Sequence, residues 1–180
     1  RVAPVGLYFY DAPDLYEMAQ LSARVTHAHP VGIDGAAVQA RAVAEAVALD
    51  PDEPFLTDGF LHVLLSSAQT PALEQQLERV WEFIHNDAPP QEAVRELGQG
   101  VSVYWSLPFA IYSFVRHPDS FEDCLFCATL NGGDRDTLGA MACAVSGARL
   151  GIEAIPPPWR ERLENREYIT DLALRLAGTR

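Results

Sequence analysis

The stretch 33–49 reads IDGAAVQARAVAEAVAL, and it decides the fold class of this protein. Seven of its residues are alanine, and no proline interrupts it, so we expect one long helix. Small side chains along a helix let other helices approach its backbone closely. The stretch therefore predicts the central helix of a tightly packed bundle.

Most of the remaining chain also has apolar residues three and four positions apart, the spacing typical of helices. The segment after Thr70 has a capping signal, with Pro71 at the first helical position. We expect Pro108 in the first turn of its helix, and the short segments Val5–Tyr10 and Val101–Tyr104 are compatible with extended structure. The pattern predicts one all-α domain over residues 1–180, with further helices over Asp14–His27, Phe55–Ser67, Pro71–His85, Gln91–Leu97, Ser106–Arg116, Phe121–Leu130, Thr137–Leu150, Trp159–Glu164 and Tyr168–Ala177.

The composition is that of an ordinary globular protein, with 48% hydrophobic and 21% charged residues. No apolar run reaches the roughly 18 residues that a membrane span needs. The chain also lacks a basic start followed by an apolar stretch, the pattern of a secretion signal. We therefore expect a cytoplasmic protein with no membrane partner.

The chain is strongly acidic, because it has 25 Asp and Glu residues and 13 Lys and Arg residues, which gives a net charge of −12. All the basic residues are arginine. Such a surface repels the phosphate backbone, so direct binding of duplex nucleic acid is not expected. A small phosphorylated ligand remains compatible with this charge, because a metal ion and local N–H groups can outweigh the overall field.

Cys124, Cys127 and Cys143 form an odd set of thiols. The Cys124–Cys127 spacing is found in redox pairs and in half zinc sites, but here it lies inside the apolar segment Phe121–Leu130. We therefore interpret these cysteines as small hydrophobic residues of the core.

The sequence Gly132-Gly133-Asp134-Arg135-Asp136-Thr137 places two carboxylates and a hydroxyl at the start of an apolar helix. Oxygen groups of this kind are the ligands that Mg²⁺ prefers. Caps of helices use the same residue types, so the cluster is also compatible with a capped helix that binds nothing. The spacing alone leaves both interpretations open.

The wider string Leu130–Met141 resembles the C-terminal metal motif of the ADP-ribosylglycohydrolase family, which includes dinitrogenase reductase-activating glycohydrolases. Four earlier blocks resemble other family segments and occur in the same order as in the family: Arg1–Pro4, Thr26–Ala36, Val94–Gly100 and Ser106–Tyr112. The resemblance covers essentially all 180 residues. It implies a compact orthogonal all-α bundle, here without the N-terminal helices of the family, and Mg²⁺-dependent hydrolysis of the glycosidic bond in ADP-ribosyl adducts.

Within this resemblance, Asp136 matches the carboxylate that bridges two Mg²⁺ ions, and Asp134 and Thr137 match ligands of the second ion. Asp134 and Asp136 would thus be catalytic through a metal-activated water, and Mn²⁺ is an alternative ion. The family's acid/base Glu and its Thr-Asp-Asp-Thr motif have no counterpart in the sequence. We therefore expect a partial chain that is inactive alone.

The resemblance also implies an ADP-ribose pocket formed by His27, Gln99 and Val101. Without the family resemblance, His27 would be interpreted as a side chain that interacts with the helix dipole at the C-terminal end of a helix. Arg135 stands where small residues are frequent in the family, so it must face away from the metals if the assignment is correct. The expected substrate is ADP-ribosylated protein, poly(ADP-ribose) or O-acetyl-ADP-ribose, and the subgroups that cleave ADP-ribose from serine, poly(ADP-ribose) or O-acetyl-ADP-ribose resemble the chain most. The linkage stays open between arginine, serine and a DNA base, and so does the oligomeric state.

The alternative function is that of a non-catalytic member of the same fold, which binds ADP-ribose or has a structural role like the related lens crystallins. The missing acid/base residues and Arg135 favour this alternative.

Overall fold

The computed structural model describes residues 2–131 and 133–179, and within these ranges it contains eleven α-helices, one short 3₁₀ turn and no β-strand. The predicted all-α fold is therefore confirmed. The helices are α1 Ala3–Tyr8, α2 Leu15–Arg24, α3 Pro30–Ala48, α4 Thr57–Ser67, α5 Pro71–His85, α6 Pro90–Leu97, α7 Val103–Arg116, α8 Phe121–Leu130, α9 Arg135–Leu150, α10 Pro157–Arg162 and α11 Arg166–Gly178, and the 3₁₀ turn is Ile152–Ala154.

The alanine-rich helix α3 lies at the centre of the bundle, where it packs against α1, α2, α4, α5, α7 and α9. Its small side chains make this packing possible, as the sequence predicts: Ala37, Ala40 and Ala42 are completely buried. A glycine on the neighbouring helix α1 also allows this close approach. A β-carbon on Gly6 of α1 would lie 2.5 Å from the carbonyl oxygen of Ala40, so α1 rests directly on the α3 backbone.

Helix α7 is the other helix with a long buried stretch, because every residue from Ser106 to Val115 is buried. It begins at Val103, three residues earlier than predicted, and Pro108 therefore lies inside the helix rather than in its first turn. Proline has no N–H, so Pro108 leaves the carbonyl of Tyr104 without its helical donor. The side chain of Gln76 replaces that donor, because its Nε2 donates to the Tyr104 oxygen at 3.2 Å. This bond between α5 and α7 explains how the helix continues through proline.

The two segments that are compatible with extended structure in the sequence are not extended in the fold. Residues 5–8 belong to helix α1, where packing on α3 stabilises a helix too short to persist alone. Val103 and Tyr104 form the first turn of α7, and only Ser102 before them keeps an extended backbone as the N-cap. Tertiary packing outweighs the local pattern at both places.

The N-cap of α5 also differs from the expected capping chemistry. Thr70 occupies the cap position, with Pro71 in the first turn as predicted, but its side chain makes no cap hydrogen bond. The Thr70 hydroxyl instead donates to the buried carboxylate of Asp34 on α3 at 2.5 Å. Asp34 also accepts from the main-chain N–H of Thr70 and from the Tyr16 hydroxyl. One buried carboxylate thus joins α2, α3 and the start of α5.

The cysteines are free thiols, as predicted, and Cys124 and Cys127 are buried. Burial raises the pKa of Cys124 and of Cys127, and raises that of Cys143 to about 11. A thiol that stays protonated is a poor nucleophile and a poor metal ligand. The three residues therefore serve the core between α8 and α9.

Across residues 2–131 and 133–179, none of the helices combines the length and the apolar character that crossing a bilayer requires.

Candidate functional site

The acidic loop, as we call residues 133–136, comprises the segment before helix α9 and the first two residues of that helix. The helix begins at Arg135, two residues earlier than predicted, so Asp136 and Thr137 lie in its first turn. Gly133 has a φ of 70°, a left-handed conformation that glycine adopts without steric cost. Asp134 is the N-cap residue, yet its side chain makes no cap hydrogen bond. The carboxylate of Asp134 is therefore not used in capping, which weakens the purely structural interpretation of the motif. Gly132 lies outside the described residues.

The two carboxyl groups of the loop lie against each other. The Asp134 side chain and the N–H groups of Asp136 and Thr137 interact with the Asp136 carboxylate and hold its pKa below the usual value. Asp136 is exposed, and Asp134 is partly exposed. Two carboxyl groups in contact can share one proton, and a divalent cation can take the place of that proton. The Arg135 side chain between them in sequence is exposed.

A cavity of about 530 Å³ opens beside this loop, between α2, α3, α7 and α9. Thr137 forms part of its wall, together with His27 from the α2–α3 connection and Val101 before α7. Polar groups also reach it from Ser102, Tyr104 and Ser106. Asp134 and Asp136 are not among the lining residues, but they precede Thr137 in the same helical turn. The fold thus brings a metal-type motif to the edge of a ligand-sized cavity.

His27 lies beyond the last residue of α2 and faces the cavity. Its Nδ1 is 2.8 Å from the hydroxyl of Thr26. The other side of the ring packs close to Gly32, because a β-carbon added at Gly32 would lie 3.3 Å from His27 Cδ2. These contacts orient the ring. The neighbouring His29 also lines the cavity, and its Nδ1 accepts a hydrogen bond from the Val31 N–H and caps α3.

Gln99 is placed differently from His27 and Val101. It is not among the described residues that line the cavity, and it lies instead against the acidic loop. Its main-chain carbonyl accepts a hydrogen bond from the Asp134 N–H at 2.9 Å. The prediction that Gln99 contacts ADP-ribose stays a prediction, while the structure shows a main-chain contact with the candidate metal ligands.

Gln39 is a buried polar residue of the cavity that the sequence reasoning missed. It is only 5% exposed, and its Nε2 donates to the carbonyl of Met141 on α9 at 3.0 Å. Met141 lies one helical turn after Thr137, so this bond holds α9 against α3 at the cavity. A single glutamine inside an alanine-rich helix carries no signal that distinguishes it from a surface residue.

The side chains of Asp134, Asp136 and Thr137 fit a hard divalent cation in ligand type, because all are hard oxygen donors at the N-cap and in the first turn of α9. An octahedral ion needs about six oxygen ligands, which three side chains cannot supply. In the part of the chain that the structure describes, no group of three or more His, Cys, Asp or Glu is arranged to hold a metal ion. Ligands in addition to these residues would therefore be required.

The fold and this helix-start motif define an all-α protein with an acidic site at the edge of a cavity, and comparison with known proteins identifies its family. The ADP-ribosylglycohydrolase family matches residues 1–180. The chain belongs to the ADP-ribosylglycohydrolase family.

Individual relatives agree with this assignment. The chain is 34% identical over 198 residues to the ADP-ribosylhydrolase ARH3 of Mus musculus, covering 96% of the chain and 54% of that protein. It is 36% identical over 177 residues to an uncharacterized protein of Archaeoglobus fulgidus, covering 98% and 55%. A solved structure titled as an ADP-ribosylglycohydrolase-related protein complex matches with a TM-score of 0.76 at 28% identity, covering 96% of this chain and 56% of that one. The chain thus spans about half the length of the relatives it matches.

Proposed function

We propose that this chain forms part of a metal-dependent hydrolase that cleaves the glycosidic bond of ADP-ribosyl adducts. The observation that supports this proposal most directly is the position of Thr137, which lies in the cavity wall and in the same helical turn as Asp136. A ligand in the cavity would therefore meet a cation held by the acidic loop. The relatives named ADP-ribosylhydrolase support the same reaction and an ADP-ribose-containing substrate.

Asp134, Asp136 and Thr137 would hold the cation, with Mg²⁺ as the first candidate and Mn²⁺ as the alternative. When bound, such an ion acts as a Lewis acid that orients ribose hydroxyls and lowers the pKa of a bound water. The chain contributes a rigid arrangement: the loop is fixed at the start of the 16-residue helix α9, whose N-terminal end would favour the anionic carboxylates themselves. The arrangement requires the exposed Arg135 side chain to extend into solvent, away from the cation.

His27 and Val101 would bind the nucleotide part of the substrate. Both line the cavity, whose volume of about 530 Å³ is within the range of small-molecule sites. The His27 ring is oriented by Thr26 and Gly32 and so presents its second nitrogen in a defined direction. Val101 is 83% exposed and provides an apolar surface for a base or ribose. We propose adducts on serine, poly(ADP-ribose) or O-acetyl-ADP-ribose as the substrates.

The substitution Asp136→Asn tests this proposal, because it keeps the shape of the side chain and removes its charge. In the full-length protein we expect loss of Mg²⁺ binding by calorimetry and a fall in ADP-ribose release of at least about 100-fold, since a cation ligand is removed. Asp171→Asn is the matched control, because Asp171 is an exposed aspartate of α11 outside the site. The assay compares an ADP-ribosylserine peptide, poly(ADP-ribose), O-acetyl-ADP-ribose and an ADP-ribosylarginine peptide.

Undiminished hydrolysis in the Asp136→Asn variant, or in excess EDTA, would show that the metal mechanism is wrong. Binding of ADP-ribose by the unsubstituted protein without release from any adduct would instead identify the non-catalytic alternative.

A further inference from the structure

Two loops that are distant in the sequence meet beside the cavity. The first, Gly98–Gly100, follows α6 and leads to Val101 and Ser102 in the cavity wall. The second is the acidic loop, which leads to Thr137 in the same wall. They are joined by the hydrogen bond from the Asp134 N–H to the Gln99 carbonyl, at 2.9 Å. We call this contact, between Gln99 and residues 133–134, the loop junction.

The loop junction depends on the absence of a side chain at position 133. A β-carbon on Gly133 would lie 2.2 Å from the Gln99 oxygen and 2.5 Å from its β-carbon, and the oxygen belongs to the main chain. A rigid main-chain atom cannot move aside as the end of a flexible side chain can. Any larger residue at this position must therefore separate the two loops and break the hydrogen bond to Asp134.

The Gly98–Gly100 loop is itself fixed from the other side by Trp105. A β-carbon on Gly98, whose φ is 93°, would lie 2.4 Å from the Trp105 ring, and one on Gly100 would lie 3.4 Å from it. The indole thus covers the loop and attaches it to the first turn of α7. The main chain at Gln99 is held in place, and it holds Asp134.

We infer that Gln99 is a positioning residue, which sets the direction of the Asp134 carboxylate toward the cation through its main-chain carbonyl. This inference rests on the proposed function. The hydrogen bond is made by the main-chain N–H of Asp134 itself, so a small displacement there changes the distance between its carboxylate and the cation directly. Outer contacts of this kind typically contribute 10- to 100-fold to metal affinity. The side chain of Gln99 has no part in the effect.

The test compares two glycines that both have a positive φ. Gly133→Ala introduces a β-carbon at a φ of 70° against Gln99, whereas Gly151→Ala introduces one at a φ of 75° with no atom within 4 Å. Both variants place alanine at a positive φ, but only Gly133→Ala adds a collision with Gln99, so a larger effect of Gly133→Ala reports the loop junction. In the full-length protein without nucleotide, we expect Gly133→Ala to weaken Mg²⁺ binding 10- to 100-fold by calorimetry, and Gly151→Ala to leave it within about two-fold. Gln99→Ala keeps the carbonyl and is expected to retain the Mg²⁺ affinity.

Equal Mg²⁺ affinity of the Gly133→Ala and Gly151→Ala variants would overturn the inference, and so would a loss of affinity in Gln99→Ala as large as that in Gly133→Ala. If Gly133→Ala does not fold, Trp105→Ala serves instead, because it releases the Gly98–Gly100 loop without touching residues 133–137. It is then expected to weaken Mg²⁺ binding and to speed hydrogen exchange of the Asp134 amide, and unchanged values of both would refute the inference. Absence of Mg²⁺ binding in the unsubstituted protein would refute the proposed function instead.

Discussion

Replacing Gln76 with methionine should destabilise the protein through a carbonyl group on another helix. Gln76 is fully buried, and its Nε2 is the donor to the Tyr104 oxygen that Pro108 leaves without a helical partner. Methionine matches the length of glutamine but donates no hydrogen bond. A buried carbonyl without a partner costs about 1–3 kcal/mol.

Part of this cost is offset, because Gln76 Oε1 has no hydrogen-bond partner among residues 2–131 and 133–179, and methionine removes that oxygen. With a relief of about 1 kcal/mol, we expect a net loss of about 0–2 kcal/mol in the free energy of unfolding, centred on about 1 kcal/mol. For a domain of this size, a loss of about 1 kcal/mol lowers the melting temperature by about 2–4 °C. Urea unfolding followed by circular dichroism measures the difference. The exposed neighbour Gln75 provides the control, since Gln75→Met should change the stability by less than about 0.5 kcal/mol.

The decisive measurement is a double-mutant cycle with Pro108→Ala. Alanine restores an N–H at position 108, which can donate to the Tyr104 oxygen in the normal helical pattern. Gln76→Met should then no longer leave that carbonyl without a donor, giving a coupling energy of about 1–3 kcal/mol between the two sites. An equal cost of Gln76→Met in both backgrounds would refute the reasoning, because it would show that Gln76 acts through packing alone.

Two further predictions concern buried polar groups. Arg149→Met should lower the free energy of unfolding by about 2–3 kcal/mol, because Arg149 is 3% exposed and donates to the carbonyls of Asp50 and Glu53 and to Asp119. Chemical denaturation of this variant beside the exposed Arg175→Met checks the value, and equal effects would contradict the role of the buried contacts. Burial raises the pKa of Tyr112, whose hydroxyl donates to the Ala88 carbonyl, to about 12 from an ordinary value of about 10. Its contribution to stability is therefore complete below pH 10 and is lost as the pH rises from 10 to 12. Between pH 9 and pH 11.5, the free energy of unfolding should fall less in Tyr112→Phe than in the unsubstituted protein. An equal fall in both proteins would rule this out.

Local sequence patterns predicted most helices because the relevant interactions lie within a few residues of one another. The bounds of α5 and α8, Pro71–His85 and Phe121–Leu130, agree with the sequence to the residue. A proline at the first helical position starts α5, and the serine that precedes Phe121 caps α8 by accepting from the Asp123 N–H. The six-residue helix α1 was not predicted, because its stability comes from packing on α3 rather than from its own residues.

Part of the candidate site was also visible in the sequence, because some of its residues are close together along the chain. Asp134, Asp136 and Thr137 are consecutive enough for their shared chemistry to be visible in one motif, and the family resemblance added His27 and Val101, which line the cavity together with Thr137. Whether the acids cap the helix or remain available to a ligand could not be decided from spacing. The structure shows that Asp134 makes no cap bond.

Local patterns along the chain were sufficient to predict the helical class, the alanine-rich central helix, the cysteines as core residues and the oxygen-rich motif at a helix start, since each depends on near neighbours. The contacts between distant segments became visible in the folded chain alone. The tertiary structure joined Gln39 to Met141, 102 residues apart, placed Gln76 on the carbonyl freed by Pro108, and set the Gln99 carbonyl on the Asp134 amide. The physical reason is that a hydrogen bond or a contact without room for a β-carbon depends on positions in space, and these are set by the packing of the whole bundle.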